Sequence, residues 1–226
     1  MINDLDVNTP HLWKFFHDIT ASEVVPKGNT SKAQSIVNQV TEWSHINREQ
    51  LNPDNCKELQ ISFSRSPVEL DAVVIDRKEV DVVSTAKLLG LITNADLNWN
   101  AHVENVAWKA IKRLHFLVQL KRTKLSPTDL ILYYNTCVRS VVDYAVQVLY
   151  NALPQYPINA LVRIEKRAIS IILPSTSYNY ACEILGITPM VDHIDSLCDK
   201  LFHSIASDKD HTLNRLLPPL HKNPRV

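Results

Sequence analysis

The stretch Val103-Glu104-Asn105-Val106-Ala107-Trp108-Lys109-Ala110-Ile111-Lys112-Arg113-Leu114-His115-Phe116-Leu117-Val118 divides the chain. Val103, Val106, Ala107, Ala110, Ile111, Leu114, Leu117 and Val118 recur at steps of three and four, the spacing of one helical face, with no glycine or proline among them. A long amphipathic helix is expected, and the pattern continues downstream. Ser126-Pro127 opens a second helix that turns Leu130, Ile131, Tyr134, Val138, Val141, Val142, Ala145 and Leu149 inward. A third carries Leu161, Ile164, Ala168, Ile171 and Ile172 and stops before Pro174, and Pro189 opens a fourth with Ile194, Leu197, Leu201 and Ile205.

Upstream of Trp99 the period shortens to two. Leu59 to Phe63, Val68 to Ile75, Val80 to Val83 and Leu88 to Thr93 read as strands, with a hairpin turn at Asp76-Arg77-Lys78. A single helix precedes them, with Ala33, Ile36, Val37, Val40 and Trp43 on one stripe after a Thr30 or Ser31 cap. The expected fold class is α+β: a mixed part over 1–98, an all-α bundle over 99–207, and a loose tail over 208–226 marked by Pro218-Pro219 and Pro224.

A chain of 226 residues, 45% hydrophobic and 21% charged, can bury a core without disulfide or metal staples and is too apolar for general disorder. No apolar run approaches the roughly 20 residues of a membrane span. Met-Ile-Asn-Asp-Leu-Asp lacks the order of a secretory signal, so a cytoplasmic or nuclear protein with free thiols at Cys56, Cys137, Cys182 and Cys198 is expected. Their spacing fits no zinc site, and three glycines leave no phosphate-cradling loop.

The zero net charge hides a division. Residues 1–102 hold 9 Lys and Arg against 14 Asp and Glu, residues 103–170 hold 10 against 4, and the remainder 5 against 6. The basic middle is where a polyanion would be attracted. Generic catalytic spacings are missing: His17 and Asp18, as strand neighbours, point apart, and His193 diverges from Asp192 and Asp195 around a helix.

Leu12-Trp13-Lys14-Phe15-Phe16-His17-Asp18-Ile19-Thr20 resembles the catalytic hairpin of non-LTR retrotransposon reverse transcriptases, usually aromatic-x-Asp-Asp. Other pieces follow in order: Trp43, Leu51-Asn52-Pro53-Asp54 and Cys56-Lys57; Ala86-Lys87-Leu88-Leu89-Gly90; Leu97-Asn98-Trp99-Asn100-Ala101-His102-Val103; Leu120-Lys121-Arg122; Arg139-Ser140-Val141-Val142-Asp143-Tyr144-Ala145; and Arg163-Ile164-Glu165-Lys166-Arg167-Ala168. Together they are similar to jockey-like and CR1-like elements. The resemblance implies the end of a polymerase palm followed by a thumb-like helical bundle.

It further implies a truncated, degenerate fragment of an RNA-directed DNA polymerase, inactive alone. The family's upstream carboxylate strand would precede Met1, and His17 replaces the first hairpin aspartate, leaving Asp18 as a vestigial metal ligand. Imidazole is a poor ligand for the magnesium that the intact enzyme uses, so no cofactor is expected on this chain. Lys57 would hold the place of a vestigial general acid, although by itself it reads as a surface lysine. The basic helices would contact an RNA or DNA duplex through phosphate, with Lys109, Lys112, Arg113, Lys121, Arg122, Lys124, Arg163, Lys166 and Arg167 as candidate contacts. The alternative function is a recruited module that holds nucleic acid or a protein on this region. A severed palm would also leave the hairpin and the Ile36/Val40 helix face exposed.

Overall fold

The computed structural model describes residues 4–7, 9, 11–16, 18–64 and 69–219. It is mixed α+β and falls into two compact units, 1–98 and 99–226.

In the first unit the strands are shorter than their sequence pattern and pair only two by two. β1 (Leu12–Phe15) and β2 (Asp18–Ala21) form an antiparallel hairpin with Phe15 opposite Asp18. β3 (Lys57–Leu59) pairs in parallel with β6 (Asp81–Val83), while β4 (Val74–Ile75) pairs with β5 (Lys78–Glu79) and β7 (Thr85–Leu88) with β8 (Leu91–Asn94), both antiparallel. Asp76 and Arg77, at φ 48° and 67°, make the β4–β5 turn, and Leu89 and Gly90, at 45° and 89°, make the β7–β8 turn. Two consecutive positive φ values match the right-handed strand twist of a tight hairpin. The run Leu88 to Thr93, expected as one strand, thus folds back on itself around Gly90. Part of the expected strand from Val68 lies outside the described residues.

The helix α1 (Ala33–Ile46) organises this unit, packing two clusters along its apolar face. Ile36 and Val40 pack with Leu5, Val7, Leu12 and Ile19, whereas Ala33 and Val37 lie against Val73, Ile75 and Val80. The expectation that the Ile36/Val40 face lies bare is therefore corrected: Leu5 and Val7 cover it. Gln34 adds a polar tie, accepting from the Val74 N–H at 2.7 Å and donating to the Val74 carbonyl at 2.9 Å, as a neighbouring strand would. The helix start is capped from a distance. Glu23 accepts from the N–H groups of Lys32 and Ala33, and the Ser31 hydroxyl accepts from Ala33 at 3.0 Å. Burial pushes the Glu23 carboxyl up, but bonds from Ser31, Lys32 and Ala33 outweigh it and hold the carboxyl below its usual value.

The second unit is helical: α2 (Asn100–Arg122), α3 (Pro127–Tyr133), α4 (Ser140–Asp143), α5 (Val146–Leu149), α6 (Gln155–Ile172), α7 (Tyr178–Leu185) and α8 (Met190–Ser207). Its core joins Ala110, Leu114 and Leu117 of α2 to Leu130 of α3, to Leu161, Ala168 and Ile172 of α6, and to Ile194 of α8. Ser126 starts α3 by accepting the Asp129 N–H at 3.2 Å.

The continuous helix expected from Ser126 to Leu149 is instead broken three ways. A π-helical segment spans Tyr134–Arg139, Tyr144 is extended, and Ala145 is left-handed at φ 55°. Past the wider turn Val142 is buried as expected and Val146 is buried as well, whereas Val141 and Ala145, also expected inward, are only partly buried. α7 escaped the sequence reading because it is only eight residues long. At the start of the tail Asn214 donates to the Ile205 carbonyl of α8 at 2.7 Å.

Candidate nucleic-acid interface

α2 and α6 pack side by side and run parallel. At their N-terminal ends Asn100, Val103 and Ala107 share a cleft with Tyr156, Pro157 and Ala160. At the other end the Lys121 ammonium donates to the carbonyl of Ile172, the last residue of α6, at 2.9 Å. A cation there satisfies an orphan carbonyl and opposes the negative ends of two parallel helix dipoles.

Each helix buries one stripe and leaves the opposite one in solvent. On α2 the buried stripe is Val103, Val106, Ala110, Leu114 and Leu117. The outward one runs Trp108, Lys112, His115, Gln119 and Arg122, with Lys109 and Phe116 at its border. On α6, Pro157, Leu161, Ile164, Ala168 and Ile172 are buried, and Asn159, Arg163, Lys166, Arg167 and Ser170 face out. Parallel neighbours that bury the same side into one core, with axes about 8–10 Å apart, present their outward stripes on one surface.

The resulting layer is strongly basic. Lys109, Lys112, Arg122, Arg163, Lys166 and Arg167 are exposed, and among the described residues none of them is in an ion pair. Glu104 is the one exposed acid of these two helices, because Glu165 is fully buried. Lys124, also exposed, follows the end of α2 at φ 62°. Two of the expected phosphate ligands are engaged internally instead. Arg113 donates to the Cys137 carbonyl within the bundle, and Lys121 is the α6 cap. Sequence reading missed Trp108, an aromatic residue placed off the apolar stripe, where burial does not explain it.

The hairpin residues do not assemble into a comparable site. Asp18 is exposed at the start of β2, and His17 lies outside the described residues. Lys57 sits in a different ribbon, its Nζ 2.6 Å from Asp81 Oδ2 on β6, and that bond holds the Asp81 carboxyl below its usual value. Among the described residues no group of three His, Cys, Asp or Glu side chains is placed to hold a metal ion.

Beneath the basic layer lies a charged network that no motif announced. Glu165 accepts the Tyr134 hydroxyl at 3.0 Å, the Tyr178 hydroxyl at 2.5 Å and the Met190 N–H at 2.7 Å, with Arg139 Nη1 3.8 Å away. Arg139 also donates to the Thr188 carbonyl at 2.8 Å. Burial pushes both tyrosine hydroxyls well above their usual pKa, and Glu165 reinforces the shift, so both remain donors. On α8, His193 finds Asp143 at 3.1 Å across the bundle instead of its sequence neighbours. His102, buried near the start of α2, is held below the usual histidine pKa by desolvation and then by Lys109.

Fold and site thus define a two-unit α+β protein whose helical half presents a basic two-helix face. Residues 99–140 match a family model described as Alkylated DNA repair protein alkB homolog 8, N-terminal, which covers fewer than a fifth of the 226 residues. No curated protein and no solved structure matches. This match corrects the reverse-transcriptase resemblance and, with it, the reading of the chain as a fragment of a mobile-element RNA-directed DNA polymerase. The pieces behind that resemblance were individually weak. Leu-Lys-Arg and Arg-x-x-Lys-Arg steps occur wherever a helix is apolar inside and basic outside. The palm reading is corrected by structure as well: the described strands form four separate two-stranded ribbons, not one sheet. Among the described residues no helix is long and apolar enough to cross a membrane.

Proposed function

We propose that the helical unit binds the sugar-phosphate backbone of nucleic acid through the outward face of α2 and α6. One observation carries this reading: six exposed cations, in no ion pair among the described residues, stand on two parallel helices whose only exposed acid is Glu104. Rows of Lys and Arg spaced this way suit a line of phosphates, since each phosphate bound releases condensed counterions and none needs base identity. The family match over 99–140 spans α2, and that family is named for repair of alkylated DNA, which agrees with a nucleic-acid partner. Lys109, Lys112, Arg122, Lys124, Arg163, Lys166 and Arg167 hold the phosphates, while Arg113 and Lys121 support the scaffold.

Fluorescence anisotropy of the full chain with labelled oligonucleotides tests it across a salt series. Binding at low salt should weaken steeply and linearly in log–log form, with little dependence on sequence. The triple substitution Arg163→Gln, Lys166→Gln and Arg167→Gln should reduce the slope by about one for each phosphate that is no longer neutralised. Absence of binding at low salt, or a slope that the triple variant leaves unchanged, refutes the assignment.

A further inference from the structure

The same face carries rings as well as charge. Trp108 is 56% exposed and Phe116 58% exposed, both on the solvent side of α2. Lys112 Nζ stands 3.4 Å from the centroid of the Trp108 ring, and His115 meets Phe116 edge-on with centroids 5.9 Å apart. A second pairing recurs beside α6, where Lys166 Nζ lies 5.2 Å from the Tyr178 ring, whose hydroxyl is tied to Glu165. Cations interleaved with exposed rings are more than a phosphate rail requires.

Duplex cannot use those rings, because its bases are paired and stacked behind the phosphates. Unpaired bases can, since every base offers a π-face to an aromatic side chain. We infer that the α2/α6 face selects single-stranded nucleic acid, with Trp108 and Phe116 stacking unpaired bases while Lys112, Arg163, Lys166 and Arg167 hold the adjoining phosphates. This inference rests on the backbone-binding reading above and adds the substrate class. Trp108 and Phe116 are separated by about 12 Å along the helix axis, so they engage different bases. Lys112 lies one turn along from Trp108 on the Phe116 side, and the cation–π contact holds its charge over one face of the indole, so that a base stacking on the other face has an ammonium within reach of its phosphate. Charge complementarity commits the face to a polyanion, and the rings commit it to one with free bases.

The experiment compares labelled oligothymidylate with the matching dA·dT duplex on the full chain, for wild type, Trp108→Ala, Phe116→Ala and Trp108→Phe. Wild type should hold the single strand more tightly than the duplex. Trp108→Ala and Phe116→Ala should each weaken strand binding by about five- to a hundredfold, leave duplex binding and the salt slope in place, and keep the wild-type circular dichroism. Trp108→Phe should restore most of the affinity. Equal affinity for strand and duplex, with alanine variants that match wild type, overturns the single-strand inference and leaves backbone binding standing. Alanine variants that weaken strand and duplex equally overturn it too. Failure of both ligands to bind at low salt overturns the backbone reading and this inference together.

Discussion

Glu165 shows how a charge can be buried without a close ionic partner. Its carboxylate is fully buried and takes three hydrogen bonds, from two tyrosine hydroxyls and the Met190 N–H, while the Arg139 guanidinium stands off at 3.8 Å. The bonds therefore satisfy the oxygens, and the arginine balances the charge. Glu165→Ala removes all three acceptances and leaves Arg139 unbalanced, so it should cost about 3–5 kcal/mol of unfolding free energy by urea titration. Replacing both charges, with Glu165→Leu and Arg139→Met, should recover a substantial part of that loss, because an apolar pair demands no partners. A single Glu165→Ala that melts like wild type would show that the carboxylate stabilises nothing. The residue was visible in the sequence only as part of a basic string, Arg163-Ile164-Glu165-Lys166-Arg167, and its burial follows from its place on the inward side of α6, which periodicity alone did not single out.

At the scale of elements, the break between α3 and α5 is where propensity and tertiary demand diverge. The chain inserts a π turn over Tyr134–Arg139, and that turn brings Tyr134, Val138 and Arg139 all into the core. Ala145 then adopts φ 55° to restart the helix at Val146. A left-handed alanine carries a Cβ penalty of about 1 kcal/mol or more, which glycine avoids at some entropic cost in the unfolded chain. Ala145→Gly should therefore raise stability by up to about 1 kcal/mol, read as a higher urea midpoint with an unchanged slope, and a lower midpoint would contradict the strain argument. The long stripes of α2 and α6 were legible because 18 to 23 residues of regular period leave one solution. The π turn was not, since the extra residue it takes into one helical turn leaves no local signature. In the first unit, alternation marked the β-rich stretches but not their pairing. Likewise the basic residues of the candidate face were legible as a charge excess, but the internal bonds of Arg113 and Lys121 depend on what packs across from them, and the outward placement of Trp108 emerges only once the buried side of α2 is fixed.

For the whole molecule, the division near residue 98 separates two ways of being stable. The first unit packs two small clusters, around Val40 and around Ile75, along adjoining strips of one face of α1, and its ribbons hold two to four residues per strand. Isolated two-stranded ribbons are marginal in water, so this unit should open at low cost. The second unit has a helical core and a buried carboxylate, Glu165, with both oxygens hydrogen-bonded, and its packing links neighbouring helices, which favours rapid and independent folding. A polypeptide spanning 99–219 should consequently give a cooperative helical melt close to that of the intact chain, and since it contains every cation and ring of the proposed face, it should retain the salt-dependent binding. Circular dichroism and anisotropy on the same preparation read both properties. A fragment that melts as intact protein does but no longer binds would place the interface on the first unit. A fragment without a cooperative transition would show that the helical core needs residues 1–98 to form.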